Sequence, residues 1–274
     1  MKAKTRIAAI QMVSGPDVAQ NCETAAHLIE QAVRVGAELV ALPEYFPLIS
    51  EDEFAKVRHR ERHGGGPIQD FLAATARRHG IWLVGGSVPL AADDANKVRN
   101  ACLVFNDQGE EVARYDKIHL FGYAKGGERY DEALSIEAGD GAVAFESPFG
   151  RVALGICYDL RFPELFRALG EFDLLVLPAA FTVTTGRAHW EILLRARAIE
   201  NQCYVLASAQ GGLHPSGRRT YGDSIIVDPW GSVLNRLLQG PGVVTAEMDA
   251  GVVMETRQNL PALKHRRLPS GGRH

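Results

Sequence analysis

Short apolar runs alternate with helical patterns along almost the whole chain, and this alternation restricts the possible folds more than any other feature. Runs of about four to eight apolar residues, bounded by turn residues, are typical of buried strands. Eleven runs of this kind predict strands over residues 7–12, 39–43, 81–88, 101–106, 112–115, 143–147, 152–157, 174–178, 204–210, 224–228 and 242–248.

Between these runs, apolar residues recur at the three- to four-residue spacing of an amphipathic helix. One stripe covers residues 18–33 and stops at Gly36. Another begins at Pro67 and ends before Gly80, which are residue types that favour the first turn and the end of a helix. A third covers residues 186–200. We expect about five helices in total.

So many strands exceed what one twisted open sheet comfortably holds. Two packed sheets with helices on their outer faces would bury them better. The sequence therefore predicts an α/β fold with two sheets. No repeat, low-complexity tract or linker divides the chain, so we expect one domain over residues 1–267. The last segment, LPSGGRH at 268–274, is typical of a flexible tail.

Composition excludes several functional classes. The chain has 274 residues, of which 46% are hydrophobic and 23% charged, and its formal net charge is −3. This balance argues against a general nucleic-acid binder. The apolar run near the start is too short for a signal peptide, and no later stretch could span a bilayer. The four cysteines show neither disulfide nor metal spacing, which indicates a reducing, cytoplasmic compartment.

Cys157 is the strongest candidate for a chemical role. It closes the segment RVALGICYDLRFPE, in which an apolar strand pattern gives way to turn and helix-start residues. A thiol at such a junction can be exposed on a rigid scaffold, and the backbone N–H groups that follow can stabilise an oxyanion. The alternative is a small buried hydrophobic residue, which is common for a free cysteine.

A nucleophilic thiol needs a base, and histidine is the usual one. The better-placed histidines are His119, His189 and His214, and the sequence shows no obvious orienting acid beside any of them. Glu44 and Lys117 instead end predicted strands, where each could equally be a solvated charge. Together they form a coherent acyl-transfer site: a buried glutamate acts as base, and a lysine stabilises the oxyanion.

Three ordered segments, LPEYF, YDKIHLF and GICYDLRFPE, resemble the catalytic blocks of the nitrilase, or carbon–nitrogen hydrolase, superfamily. The resemblance implies that Glu44 is the general base, Lys117 the oxyanion-stabilising lysine and Cys157 the nucleophile. Glu132, in RYDEALSIEAGD, matches a second glutamate that positions the lysine; its alternative is a surface acid. The resemblance also implies a four-layer αββα sandwich, with two mixed sheets flanked by helices, and a homodimer or larger assembly.

Later segments indicate the branch. ASAQGGLHPSGRRTYGDS is most similar to the deaminated glutathione amidases, which hydrolyse a 2-oxoglutaramate-type amide through a cysteine thioester. The first alternative is an ω-amidase acting on 2-oxoglutaramate and 2-oxosuccinamate. An N-carbamoyl amino acid hydrolase, an acyltransferase and a non-catalytic partner-binding scaffold also stay open. In the leading hypothesis the partner is a small-molecule amide, and we expect no cofactor, no metal, no nucleic acid and no membrane.

The candidate substrate-binding residues fall in three places. Phe181 and Thr182 follow the predicted strand 174–178, and Tyr158 follows the nucleophile. A Gly/Pro-rich loop holds the remaining three: His214, Arg218 and Arg219. Two guanidinium groups could bind a substrate carboxylate there, although the loop could also be a solvated basic surface. Arg161, with Glu164, is expected to support the turn or a dimer contact.

Overall fold

The computed structural model describes residues 2–125 and 128–268. Within these residues the strands are β1 (Lys4–Gln11), β2 (Leu39–Ala41), β3 (Trp82–Val84), β4 (Val88–Ala91), β5 (Val98–Phe105), β6 (Glu111–Asp116), β7 (Gly122–Lys125), β8 (Glu128–Asp131), β9 (Ala144–Ser147), β10 (Gly150–Leu154), β11 (Leu174–Ala179), β12 (Tyr204–Ala209), β13 (Gly211–Leu213), β14 (Arg219–Tyr221), β15 (Ser224–Val227), β16 (Val233–Leu237) and β17 (Gly242–Asp249). The α-helices are α1 (Val18–Arg34), α2 (Ala55–Arg58), α3 (Pro67–His79), α4 (Pro163–Ala168), α5 (Val183–Asn201) and α6 (Ala250–Asn259).

The strands form two large mixed sheets. The first has the order β17-β1-β2-β3-β5-β4, with β6 also paired to β5, and β1, β2 and β3 are parallel. The second has the order β16-β15-β12-β11-β10-β9, with β10, β11 and β12 parallel. Two small hairpins, β7–β8 and β13–β14, lie outside both sheets. The parallel centre of each sheet brings several strand ends to one edge.

The two sheets pack face to face, with helices on the outside. In β1, Ile7 and Ala9 belong to the core shared with the second sheet, whereas Ala8 and Ile10 pack with the apolar faces of α1 and α3. This is the two-residue alternation of a strand buried on both faces. On the other side, α4 and α5 cover the second sheet, for example through Trp190. The αββα sandwich is confirmed.

Several element boundaries differ from the sequence-based predictions. The predicted strand 81–88 is two strands, β3 and β4, which pair with the same edge of β5. Gly86, at φ +61°, lies between them because a Cβ there would collide with the carbonyl of Pro43. The predicted strand 152–157 ends at Leu154, and a 3-10 turn over Cys157–Arg161 follows. The hairpins, β16 and α6 were missed because they are short or only weakly periodic.

Helix α5 begins at Val183, three residues before the predicted start. The side chain of Thr182 caps it by accepting from the N–H of Thr185, and Gly186 in its first turn lies against the ring of Tyr221. None of the helices in the described part of the chain is long and apolar enough to cross a membrane. The predicted tail at 268–274 lies outside the described residues, except for the exposed Leu268.

Candidate active site

Four ionisable side chains from separate segments meet near one edge of the sandwich. Glu44 follows β2, Lys117 follows β6, Glu132 follows β8, and Cys157 opens the turn after β10. The Nζ of Lys117 lies 2.9 Å from Oε1 of Glu44, and 2.9 and 2.7 Å from the two carboxylate oxygens of Glu132. The structure therefore brings the predicted lysine between the two predicted glutamates.

Lys117 is completely buried, and its charge is balanced by carboxylates. Burial alone would lower the pKa of Lys117, but Glu132 and Glu44 together raise that pKa above its ordinary value. In Glu132, burial acts to raise the pKa, while the ammonium of Lys117 outweighs it and lowers that pKa. The ammonium and the Glu132 carboxylate thus hold each other in the charged form.

Glu132 is held by donors other than Lys117. It lies in the 3-10 turn Glu132–Leu134 and accepts hydrogen bonds from the hydroxyl of Tyr45 at 2.8 Å and from the N–H of Phe121 at 2.7 Å. Tyr45 directly follows Glu44 and has a positive φ of 55°. Sequence reasoning missed Tyr45, although its place in LPEYF was a usable signal.

The two oxygens of Glu44 have different surroundings. Oε1 accepts from Lys117 and, at 3.0 Å, from the side-chain amide of Asn100 in β5. Across the described ranges, no donor contacts Oε2. One oxygen is therefore held in place while the other can accept a proton. Nothing in the sequence marked Asn100, because its strand reads as ordinary buried sheet.

Cys157 has a rarely adopted backbone conformation, and its thiol is in the neutral form expected of a cysteine that a base activates. Its φ of +50° is a conformation that non-glycine residues rarely adopt, and its residue surface is 7% exposed. Burial raises the pKa of the Cys157 thiol well above its ordinary value, Glu44 raises it further, and Lys117 opposes the shift. The thiol is therefore neutral near pH 7 and needs a proton acceptor to become a nucleophile.

A narrow cavity of about 10 Å³ opens at the Cys157 thiol. Three of the candidate substrate-binding residues, Tyr158, Phe181 and Thr182, line it. Arg161 lines it as well, with its guanidinium 5.7 Å from the ring centre of Tyr158 and 5.5 Å from that of Phe181. Arg161 was expected to support the turn or a dimer contact; its two aromatic contacts also place its side chain on the wall of the thiol cavity.

A larger cavity of about 300 Å³ lies beyond Phe121, which lines both spaces. Its walls include Tyr45, Glu132 and Arg218, but Cys157 does not reach it. The guanidinium of Arg218 lies 5.6 Å from the ring centre of Tyr130 and donates to the carbonyl of Ala180, while its Nε has no partner in the described structure. We call the two spaces the thiol cavity and the outer cavity.

The three residues of the basic loop occupy different environments. Arg218 lines the outer cavity, whereas Arg219, in β14, is exposed and lines neither cavity. His214 is buried: its Nδ1–H donates to the carbonyl of Ser14, and its Nε2 accepts from the hydroxyl of Thr220, both at 2.8 Å. Burial lowers the pKa of His214, which favours this neutral form. The structure brings Arg218 to a cavity and leaves the other two away from it.

His119 does have an orienting acid, contrary to the sequence-based interpretation. Its Nδ1–H donates to Oδ1 of Asp159 at 2.7 Å. The two residues are 40 positions apart, so only the fold reveals the pair. Among residues 2–125 and 128–268, no group of three or more His, Cys, Asp or Glu side chains is arranged to hold a metal ion.

Comparison with known proteins identifies the family of the chain. Residues 6–258 match the carbon-nitrogen hydrolase family, so the chain belongs to that family and is a hydrolase of carbon–nitrogen bonds. The predicted resemblance and the predicted enzyme class are therefore confirmed.

Particular relatives match over nearly the full length. The deaminated glutathione amidase of Synechocystis is 41% identical and aligns with 94% of this chain and 97% of its own length. The deaminated glutathione amidase of Homo sapiens is 40% identical and aligns with 95% of this chain and 82% of its own length. The omega-amidase NIT2 of Xenopus tropicalis is 36% identical over 97% and 96%. Among solved structures, Saccharomyces cerevisiae Nit3, of branch 10 of the nitrilase superfamily, has a TM-score of 0.88 at 32% identity and covers 98% of both chains.

Proposed function

We propose that the protein hydrolyses the amide bond of a small, carboxylate-bearing amide through a thioester on Cys157. Glu44 takes the thiol proton, and the sulfur attacks the amide carbon to form a tetrahedral oxyanion. The C–N bond then breaks as Glu44 returns the proton to the leaving amine. Water, deprotonated by Glu44, then attacks the thioester carbon. The C–S bond breaks, Cys157 takes the proton back from Glu44, and the carboxylic acid is released. The open Oε2 of Glu44 supports its role as base.

Lys117 stabilises the oxyanion in this scheme. The buried ammonium is already in position when negative charge develops on the amide oxygen, so no groups need to reorganise. The low dielectric constant of the buried site strengthens its attraction to that charge. Glu132 is the positioning group, because it binds Nζ with both of its oxygens and is itself held by Tyr45 and Phe121. The ammonium is therefore held in one place before the substrate arrives.

The substrate that the site supports best is deaminated glutathione, and the outer cavity is the observation that carries this conclusion. The 2-oxo acid half of the substrate has a carboxylate that Arg161, on the wall of the thiol cavity, can bind. With about 10 Å³, the cavity has room for about one water molecule, so it must widen around Cys157 to admit this half. The dipeptide half leaves as the amine and ends in a second carboxylate. A space of about 300 Å³ with the side chain of Arg218 on its wall suits that half.

An ω-amidase activity on 2-oxoglutaramate or 2-oxosuccinamate is the second candidate. The similarity to an omega-amidase supports it. The leaving group of these substrates is ammonia, so the outer cavity would have no substrate part to bind. An N-carbamoyl amino acid hydrolase activity is a third candidate.

A substrate panel tests the proposal. Purified protein is assayed for amine release from deaminated glutathione, 2-oxoglutaramate, 2-oxosuccinamate, N-carbamoyl amino acids and simple nitriles. We expect the highest kcat/KM on deaminated glutathione. A higher kcat/KM on 2-oxoglutaramate would favour the ω-amidase, and turnover of N-carbamoyl amino acids alone would overturn both amidase assignments.

The proposed assembly is a homodimer formed through the outer face of α5. Ile192 and Ile199 on that helix are 70% and 50% exposed, and Trp230, in the turn beside Ile199, is 64% exposed. Several large apolar side chains on one surface favour an interface over solvent contact. Analytical ultracentrifugation should give twice the chain mass, and Ile199→Glu should shift the mass toward the monomer.

The proposed domain organisation is one hydrolase domain over residues 1–267, in a cytoplasmic protein. Its support is the family match over residues 6–258 and the four free thiols, which suit a reducing compartment. Limited proteolysis should leave a fragment that ends near residue 267, and a cut inside the sandwich would contradict the single domain. Cell fractionation tests the compartment.

A further inference from the structure

The carboxylate of Asp159 is completely buried and accepts four hydrogen bonds. Its Oδ2 accepts from the N–H of Ile156 at 2.8 Å and from the hydroxyl of Tyr115 at 2.7 Å. Its Oδ1 accepts from both the backbone N–H and the Nδ1–H of His119, at 3.1 and 2.7 Å. A buried carboxylate is costly unless it is hydrogen-bonded in this way.

These donors belong to the two segments that carry Lys117 and Cys157. Ile156 directly precedes Cys157, while Tyr115 and His119 lie two residues before and after Lys117. The Tyr115 hydroxyl also accepts from the N–H of Ile118 at 3.3 Å. One carboxylate thus joins the turn of the nucleophile to both sides of the lysine.

A second contact reinforces the same junction. The imidazole of His119 stacks on the ring of Phe162, with ring centres 3.7 Å apart and an interplanar angle of 5°. Phe162 ends the turn that Cys157 begins. Neither His119 nor Asp159 lines the thiol cavity or the outer cavity, so neither is placed to touch substrate.

We propose that Asp159 is a positioning residue that fixes the Lys117 ammonium relative to the Cys157 sulfur, through Ile156 on one side and through Tyr115 and His119 on the other. The proposal rests on the roles proposed above for Cys157 and Lys117. The thiol and the ammonium lie on different segments but must contact the same substrate carbonyl. An error of about 1 Å in their relative position can lower the rate about 100-fold.

A pair of His119 variants separates positioning from simple stability. His119→Leu removes the Nδ1–H donor, whereas His119→Asn can donate from its side-chain amide at a similar position. We expect kcat to fall about 10- to 100-fold in His119→Leu, with KM changed less than about threefold, and to recover most of this loss in His119→Asn. Equal kcat values in the two variants, measured well below both melting temperatures, would overturn the proposal.

A second test needs no substrate and stays informative if the proposed amides are not hydrolysed. Asp159→Asn replaces the carboxylate that accepts the four hydrogen bonds with an amide, whose NH2 group cannot accept them. The rate at which iodoacetamide alkylates Cys157 is then measured at neutral pH. We expect alkylation to slow by at least about tenfold, because Lys117 no longer favours the thiolate. Asp173→Asn is the matched control, since Asp173 binds the N–H of Arg151 at the opposite end of the same strands. An unchanged rate in Asp159→Asn would contradict the proposal.

Discussion

The Nζ of Lys117 lies 2.9 Å from Oε1 of Glu44, and the side chains of this pair are 0% and 1% exposed. A buried ion pair is weak evidence for stability, because desolvation offsets much of the attraction. Here a second carboxylate, Glu132, binds the same ammonium. The cluster therefore places beside the neutral thiol both a carboxylate that can take its proton and an ammonium that can stabilise an oxyanion.

Replacing Lys117 should abolish catalysis, even when the replacement is another positively charged residue. Loss of one oxyanion donor costs about 10²–10³ in rate, and Lys117→Ala also leaves two buried carboxylates unpaired, so kcat should fall by at least that factor. Lys117→Arg should not restore it, because a planar guanidinium cannot replace a compact ammonium between two carboxylates. Steady-state kinetics on the best amide measures this, and near-normal kcat in the arginine variant would refute the role.

Arg161 should affect every substrate that carries a 2-oxo acid. Its side chain lines the thiol cavity, and in the proposed complex it binds the carboxylate of the acyl half. Loss of a charge-assisted hydrogen bond costs about 1.5–3 kcal/mol, so Arg161→Ala should lower kcat/KM about 10- to 150-fold on both deaminated glutathione and 2-oxoglutaramate. If Arg161→Ala lowered kcat/KM only on deaminated glutathione, the proposal that this guanidinium binds the carboxylate of the acyl half would be refuted.

Arg218 should affect the long substrate alone. Arg218→Ala removes the guanidinium from the outer cavity, and the same loss of about 1.5–3 kcal/mol predicts about 10- to 150-fold lower kcat/KM on deaminated glutathione. Activity on 2-oxoglutaramate should change little, since the thiol cavity is intact. Arg219→Ala is the matched control, because that side chain is exposed and lines neither cavity. Equal losses on both substrates would indicate a role in folding.

His214 should make stability depend on pH. Burial lowers the pKa of His214 from its ordinary value of 6.5, so the unfolded chain binds a proton more readily than the folded one. The stability contribution is present above pH 6.5 and is lost as the pH falls toward the folded-state pKa. Urea unfolding from pH 7.5 to about 5 should show a steeper loss in the wild type than in His214→Gln. Parallel curves would contradict this.

The sequence predicted the layers of the fold and the main chemical groups, because both depend on strong local patterns. Apolar runs marked the central strands, and Glu44, Lys117 and Cys157 each lie just beyond such a run. Strand ends are where an α/β sheet gathers functional side chains, so the sequence could single out these three residues as candidates. The confirmed resemblance gave their order and the αββα architecture.

What the sequence did not predict depends on contacts between distant segments. Asp159 holds His119 across 40 residues, and Asn100 holds Glu44 across 56, without any local pattern. Arg161 was assigned to the turn or a dimer contact because its neighbours are turn residues, yet its guanidinium lies near two aromatic rings and its side chain lines the thiol cavity. The positive φ of Cys157 was equally invisible, since strain of this kind is set by the surrounding structure.

If the amide is hydrolysed through a thioester, an acyl group is attached to Cys157 for part of each turnover and can be trapped there. The protein is mixed with its best amide substrate, quenched in acid within one turnover and digested for mass spectrometry. We expect the acyl mass on the peptide that contains Cys157, and no adduct after Cys157→Ser, which should keep the fold and lose several orders of magnitude in kcat. An acyl adduct on Cys22, Cys102 or Cys203, or full turnover by the serine variant, would contradict the account.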